Sequence, residues 1–172
     1  MYRVMLVDDE VHLLESMAKL VDWESCGTTL VQKAANGRIA LELTQKDPPD
    51  IIVTDIKMPA MDGMKLIERV SLLFPDIKYI VLSGYGEFDY AKKAMQFGVR
   101  HYLLKPSSED KIQEALKEIV AELEEQKKKE EFYDKINRSL SETLPKAKEQ
   151  LFRELLTNKY EQLEWSKLEE LF

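Results

Sequence analysis

Cysteine is almost missing from this chain and histidine is scarce: among 172 residues there are one cysteine, Cys26, and two histidines, His12 and His101. A single thiol cannot close an internal disulfide, which suits the reducing cytoplasm expected here, and Cys26 has no partner motif that would make it reactive. Two histidines, one in a predicted helix and one in a predicted strand, give little support to a histidine metal centre or a catalytic triad. There is no run of the roughly 18 apolar residues that a membrane span needs, and Met1-Tyr2-Arg3 leads directly into a strand rather than a secretory signal, so no membrane association is expected. Excess basic charge is missing too. With 25 Lys and Arg against 32 Asp and Glu, the net charge is −7. No basic block stands out, so these residues alone are not expected to bind DNA strongly. Internal repeats and low-complexity stretches are absent.

What is present is enough apolar material for one core. Hydrophobic residues make up 44% and charged residues 33% of the chain, which suffices for a domain of roughly 100 to 150 residues plus an appendage. Short apolar runs at 3–7 (RVMLV), 29–34 (TLVQKA), 50–55 (DIIVTD), 77–82 (IKYIVL) and 101–104 (HYLL) predict strands. Between them, apolar residues spaced by three and four predict helices with one buried stripe. These are Leu13, Leu14, Met17 and Leu20, then Ile39, Ala40 and Leu43, then Met64, Leu66, Ile67 and Val70, then Tyr90, Ala91, Ala94 and Met95. Five such β-α units predict an α/β fold, a doubly wound parallel sheet covered on both faces. The strand order cannot be read from periodicity.

In such sheets ligands bind beyond the carboxyl ends of the strands. The first predicted strand ends in Asp8 and Asp9, the third in Asp55, the fourth leads to Ser83 and the fifth to Lys105-Pro106. The second ends in Ala34-Ala35-Asn36-Gly37, a turn and helix cap with no obvious reactive group. Either Asp8 or Asp9 could serve as a helix cap, but one cap does not require two acids plus Asp55. Three carboxylates on one rim repel one another, and a hard divalent cation, Mg²⁺ where phosphate chemistry is involved, removes that cost. Lys105 supplies complementary charge, and the following Pro106 biases it toward an extended backbone. The Ser83 hydroxyl can donate to a phosphoryl oxygen. The chemistry implied is attack of the Asp55 carboxylate on phosphorus to give an acyl phosphate.

After Ser107-Ser108 a long helical pattern begins, apolar at Ile112, Leu116, Ile119 and Leu123, charged through EEQKKKEE at 124–131, and weaker at Phe132, Tyr133, Ile136 and Leu140. The spacing is like that of a short two-stranded coiled coil. Pro145 is expected to break or bend the register, with a last helix from Lys146 toward Leu171 using Leu151, Leu155, Leu156, Leu163 and Leu168. The apolar residues near the end, in SKLEELF, suggest a segment cut from something longer.

VMLVDDE (4–10), VTDIKMPAMDG (53–63), LSGYGEFDYAKKAM (82–95) and VRHYLLKP (99–106) together resemble the receiver domain of bacterial two-component response regulators over about residues 1–122. The spacings are suitable: 46 residues from Asp9 to Asp55, 28 to Ser83 and 22 to Lys105. The resemblance implies a five-stranded parallel sheet in the order 2-1-3-4-5, flavodoxin-like, with a C-terminal helical extension. It implies Asp8 and Asp9 as Mg²⁺ acids, Asp55 as phosphoacceptor and metal ligand, and Lys57 as the residue whose main-chain carbonyl binds metal. It further implies Ser83 as the switch hydroxyl, Tyr102 as an aromatic switch residue, Lys105 as the phosphate-contacting lysine, and a sensor histidine kinase as partner. Ser83 stands where threonine is frequent and Val99 where alanine is common. More narrowly, the 83–95 stretch and the charged helix are similar to regulators ending in an AraC-type helix-turn-helix pair. Residues 1–122 would then be the receiver and 123–172 a helical linker, with homodimerisation through the receiver face or the tail. Control of transcription would lie in an output domain outside these residues.

Two other readings compete. A haloacid-dehalogenase-type phosphatase also uses an Asp nucleophile and Mg²⁺ but wants a second Asp two residues on, where this sequence has Lys57. A receiver-like interaction module without phosphorylation control would need no intact acidic site.

Overall fold

The computed structural model describes residues 1–84, 92 and 94–169, and past residue 138 only the side chains of Glu149 and Arg153. Five strands, β1 (Tyr2–Val7), β2 (Thr28–Ala34), β3 (Ile51–Asp55), β4 (Lys78–Ser83) and β5 (His101–Leu104), form one sheet in the order β2-β1-β3-β4-β5. Every pairing is parallel. The expected α/β fold and its strand order are therefore present.

The sheet's alternation divides the core in two. Met5, Val7, Ile52, Val81 and Tyr79 face one side with Leu66, Ile67 and Val70. Val4, Leu6, Ile51, Val53, Ile80 and Leu82 face the other with Leu14, Met17, Ile112, Leu116 and Ile119. β3 is buried at all five positions, as a central strand covered on both faces must be.

Helices α1 (Val11–Leu20), α2 (Gly37–Lys46) and α3 (Gly63–Leu73) connect the strands. The Asn36 side chain caps α2 by accepting from the Ile39 amide, and Asp62 caps α3 by accepting from the Lys65 amide. Both satisfy donors that a helix N-terminus leaves without intrahelical partners. The stripe expected for α3 is buried throughout, whereas Leu20, Ile39 and Met95 are exposed. Leu14, Met17 and Ala40 are buried as expected, while Val21 just past the end of α1 and Thr44 in α2 are buried in addition. Tyr90 and Ala91 lie outside the described residues.

The fourth described helix, α4 (Glu109–Glu169), is long. Ile112, Leu116 and Ile119 are buried on the sheet, with Leu123 partly buried against the same cluster, so the four-three-four spacing is a receiver-core stripe and not a coiled-coil seam. The helix also runs through Pro145 without ending there, contrary to the expected break and separate last helix. Proline removes one amide donor and displaces one carbonyl, which costs helix stability without requiring termination. By its contacts the chain separates into two compact units, Met1–Leu123 and Glu124–Phe172. In the second unit Phe132, Tyr133 and Ile136 are exposed. Among the described residues no helix is long and apolar enough to cross a membrane.

Candidate functional site

The carboxyl rim of the sheet gathers the acids. β1 ends at Val7 and its ladder continues one step, the Asp8 amide donating to the Ala34 carbonyl at 3.1 Å, so Asp8 is held in the strand direction and fully buried. Asp55 is the last residue of β3 and 8% exposed. Carboxylate oxygens of Asp8, Asp9 and Asp55 lie within 4.8 Å of one another.

Helix capping does not explain this gathering. The N-cap of α1 is Glu10, with no side-chain cap bond. Asp8 accepts from the Glu10 amide through Oδ1 at 2.9 Å, a local turn contact, and Asp9 makes no hydrogen bond or ion pair among the described residues.

Lys105 answers the charge. Its Nζ lies 2.8 Å from Asp8 Oδ2 and 2.9 Å from Asp55 Oδ2. Burial by itself would lower the lysine pKa, but hydrogen bonds and charge from Asp8 and Asp55 outweigh it and hold the ammonium above its ordinary value. The Lys105 amide donates to the Ser83 carbonyl at 2.6 Å, and the Lys105-Pro106 peptide is cis. Among the described residues Lys105 is the one cation paired within this group of three carboxylates.

The backbone around Asp55 is also fixed. Its Oδ1 accepts from the Ile56 amide at 2.7 Å, and its carbonyl accepts from the Thr54 hydroxyl at 2.9 Å. A Cβ at Gly63 would sit 2.0 Å from that same carbonyl, so only glycine lets α3 begin this close to the strand end. The Gly63 amide donates to the Ile56 carbonyl at 2.8 Å and ties the two segments together. Neither the close approach at Gly63 nor the Thr54 hydroxyl is expected from the sequence. A hydroxyl inside an otherwise apolar central strand was the available signal for Thr54, whereas close backbone approach leaves no periodic trace.

Ser83 ends β4, fully buried. Its hydroxyl donates to the Gly84 carbonyl at 3.1 Å and accepts from the Tyr102 hydroxyl at 2.7 Å. Tyr102 in β5 is partly buried against the core. Lys57, two residues beyond Asp55, is exposed. The structure thus brings Asp8, Asp9, Asp55 and Lys105 into one cluster and joins Ser83 to Tyr102.

The donor set is three hard carboxylate oxygens without nitrogen or sulfur, a chemistry that fits a divalent cation such as Mg²⁺. The oxygens already engaged keep a second lone pair for a metal.

Residues 4–117 match the family model of the response regulator receiver domain. The chain belongs to this family. The receiver is 52% identical over 126 residues to the uncharacterized transcriptional regulatory protein YesN of Bacillus subtilis, a match covering 73% of this chain and 34% of that protein. It is 34% identical over 126 residues to the transcriptional regulatory protein HptR of Staphylococcus aureus strain N315, covering 73% and 49%. Among solved structures, the receiver domain of AraT, a response regulator from Geobacillus stearothermophilus, superposes with a TM-score of 0.69 at 32% identity, covering 73% of this chain and 98% of that one. A two-component transcriptional regulator AraC from Clostridium phytofermentans gives 0.66 at 31% identity, covering 70% and 94%. The chain spans between about a third and a half of the length of the curated relatives it matches. The receiver's acidic cluster is consistent with phosphoryl acceptance.

Proposed function

We propose that this receiver is a phosphorylation-controlled switch in which Asp55 accepts a phosphoryl group from a sensor histidine kinase. The observation that carries the reading is the Asp8, Asp9 and Asp55 cluster bound by Lys105. In the transfer, an Asp55 carboxylate oxygen forms the bond to phosphorus as the phosphorus–nitrogen bond of the donor phosphohistidine breaks; the imidazole leaves and takes up a proton. Asp8, Asp9, Asp55 and the Lys57 main-chain carbonyl would hold Mg²⁺. The ion supplies charge neutralisation to the phosphoryl oxygens and lets a dianion approach an acidic rim.

Lys105 keeps its proton at neutral pH and can turn from the two carboxylates to a phosphoryl oxygen, remaining near Asp8 as it does so. Ser83 offers one hydroxyl proton to the same group. Release of the phosphoryl group is hydrolysis of the acyl phosphate by water, so any catalytic activity is slow self-phosphorylation from small donors and self-dephosphorylation.

Residues 1–122 would form the switch and 123–172 a helical linker to an output domain. The relatives named as transcriptional regulators, and the solved regulator named AraC, support transcription as the output and an AraC-type DNA-binding domain as its carrier. The cytoplasm is the expected compartment, and a homodimer through the receiver face or the tail the expected assembly. Incubation with Mg²⁺ and acetyl phosphate, followed by intact-mass measurement, tests the reading. A gain of one phosphoryl group that Asp55→Asn abolishes is the expected result, and an unchanged wild-type mass would overturn it.

A further inference from the structure

The peptide unit that joins Asp55 to Ile56, at the end of β3, is held from both sides. Its nitrogen donates to Asp55 Oδ1 at 2.7 Å and, at 3.2 Å, to the Leu82 carbonyl of β4. Its oxygen accepts from the Thr54 hydroxyl at 2.9 Å. A peptide unit is planar, so its oxygen and its N–H turn together, and a donor that fixes the one aims the other. Thr54 is fully buried in a strand that is otherwise apolar up to Asp55. Its β-branch restricts χ1, so the hydroxyl keeps its direction. Gly63 stands against the same pair of groups: a Cβ there would lie 2.0 Å from the Asp55 oxygen and 3.1 Å from Thr54 Oγ1.

We propose that Thr54 is a positioning residue for the Asp55 carboxylate, acting through the peptide between residues 55 and 56. This inference rests on the reading of Asp55 as phosphoacceptor. The Thr54 hydroxyl sets the tilt of the peptide, the peptide N–H holds Oδ1, and the Lys105 ammonium, 2.9 Å from Oδ2, holds the other oxygen. The two carboxylate oxygens are thereby made unequal, and the side chain is kept in one rotamer within the cluster it forms with Asp8 and Asp9. When Lys105 turns to an incoming phosphoryl group, the N–H bond to Oδ1 is the restraint that stays, and it keeps the attacking carboxylate oriented. Without the Thr54 hydroxyl the peptide can tilt toward the Leu82 carbonyl, which competes for the same hydrogen, and the carboxylate loses part of its aim. Thr54 bonds the Asp55 main chain and not its carboxylate, so no bond other than hydrogen bonds changes in this step.

Two readouts test the inference. The first is the initial rate of phosphorylation from acetyl phosphate at saturating Mg²⁺. Thr54→Val keeps the branched shape and removes the hydroxyl, and it is expected to slow acceptance about three- to tenfold, the worth of one neutral hydrogen bond. Thr54→Ala, which also lacks the hydroxyl, is expected to follow it. Thr54→Ser keeps the donor and is expected to stay within about twofold of wild type. Urea unfolding verifies that each variant is folded under the assay conditions, where a loss of stability alone leaves the rate per folded molecule unchanged. The second readout is the Ile56 amide proton resonance in metal-free protein without phosphodonor. It is expected to move upfield in Thr54→Val, as the bond to Oδ1 lengthens, and to stay near its wild-type position in Thr54→Ser. A wild-type rate in Thr54→Val, equal losses in Thr54→Val and Thr54→Ser, or an unmoved Ile56 resonance in Thr54→Val would overturn the inference. Failure of the wild type to gain phosphate would instead overturn the phosphoacceptor reading, and the Ile56 resonance would still decide whether Thr54 holds the peptide.

Discussion

Replacing Asp9 by asparagine should stabilise the metal-free protein, although Asp9 belongs to the cluster that would hold the metal. Carboxylate oxygens of Asp8, Asp9 and Asp55 lie within 4.8 Å of one another. At an effective dielectric constant of about 20, each such pair repels by at least about 3.5 kcal/mol. Lys105 lies 2.8 Å from Asp8 and 2.9 Å from Asp55 and returns about 6 kcal/mol to each on the same scale. Those two acids are thereby compensated, and Asp9 makes no ion pair among the described residues. Part of the Asp8–Asp9 repulsion persists in the unfolded chain because the two are neighbours, and solvent screens a partly exposed group. The net gain for Asp9→Asn is therefore about 1 to 3 kcal/mol, not the full pair energies.

Urea unfolding in chelator and in saturating Mg²⁺ measures both sides of the balance. In chelator the variant should unfold at higher urea. In Mg²⁺ the order should reverse, because a cation that binds the folded state stabilises it in proportion to its affinity, and the variant has lost one anionic ligand. A variant less stable than wild type in chelator, or an equal Mg²⁺ gain in both proteins, would refute the electrostatic argument.

Further outcomes follow for Lys105, Tyr79 and Gly63. Lys105→Met leaves Asp8 and Asp55 buried without their cation and should destabilise the metal-free protein at pH 7 by about 3 to 5 kcal/mol, read by the same urea titration. Because the lysine's folded pKa is raised, its contribution is complete below the unfolded value of about 10.4 and fades as pH rises through the folded value. Wild-type stability should thus fall at strongly alkaline pH by an amount that Lys105→Met lacks. Among the described residues the buried Tyr79 hydroxyl has no hydrogen-bond partner, and burial drives its pKa upward. Tyr79→Phe should therefore be neutral or stabilise by about 1 kcal/mol in thermal unfolding. Gly63→Ala places a Cβ 2.0 Å from the Asp55 carbonyl. It should lower stability and slow phosphoryl acceptance together, because the backbone that must yield is the one carrying Asp55.

Much of this was legible in the residues. Strand ends carry the chemistry in a doubly wound sheet, so short apolar runs followed by Asp8, Asp55, Ser83 and Lys105 mark the rim in the sequence itself. The strand order came from the family resemblance alone, because periodicity records which face a residue takes and not which strand lies beside it. Leu20, Ile39 and Met95 looked like core and are exposed: a three-and-four spacing identifies a stripe but not its edges, where small residues such as Ala40 take the place closest to the sheet. The stripe at Ile112, Leu116 and Ile119 fitted a coiled coil equally well, since a helix packed on a sheet and one packed on another helix use the same spacing. The contact between Tyr102 and Ser83 joins residues 19 apart through strand register, and no linear pattern encodes it.

Reductive trapping tests the central claim most directly. The protein is incubated with Mg²⁺ and acetyl phosphate, treated with borohydride, which reduces an acyl phosphate to the alcohol, and mapped by peptide mass spectrometry. The account predicts conversion of Asp55 to homoserine, dependent on Mg²⁺ and on the phosphodonor. Trapping at a different carboxylate, or none at all in folded wild-type protein, would contradict it.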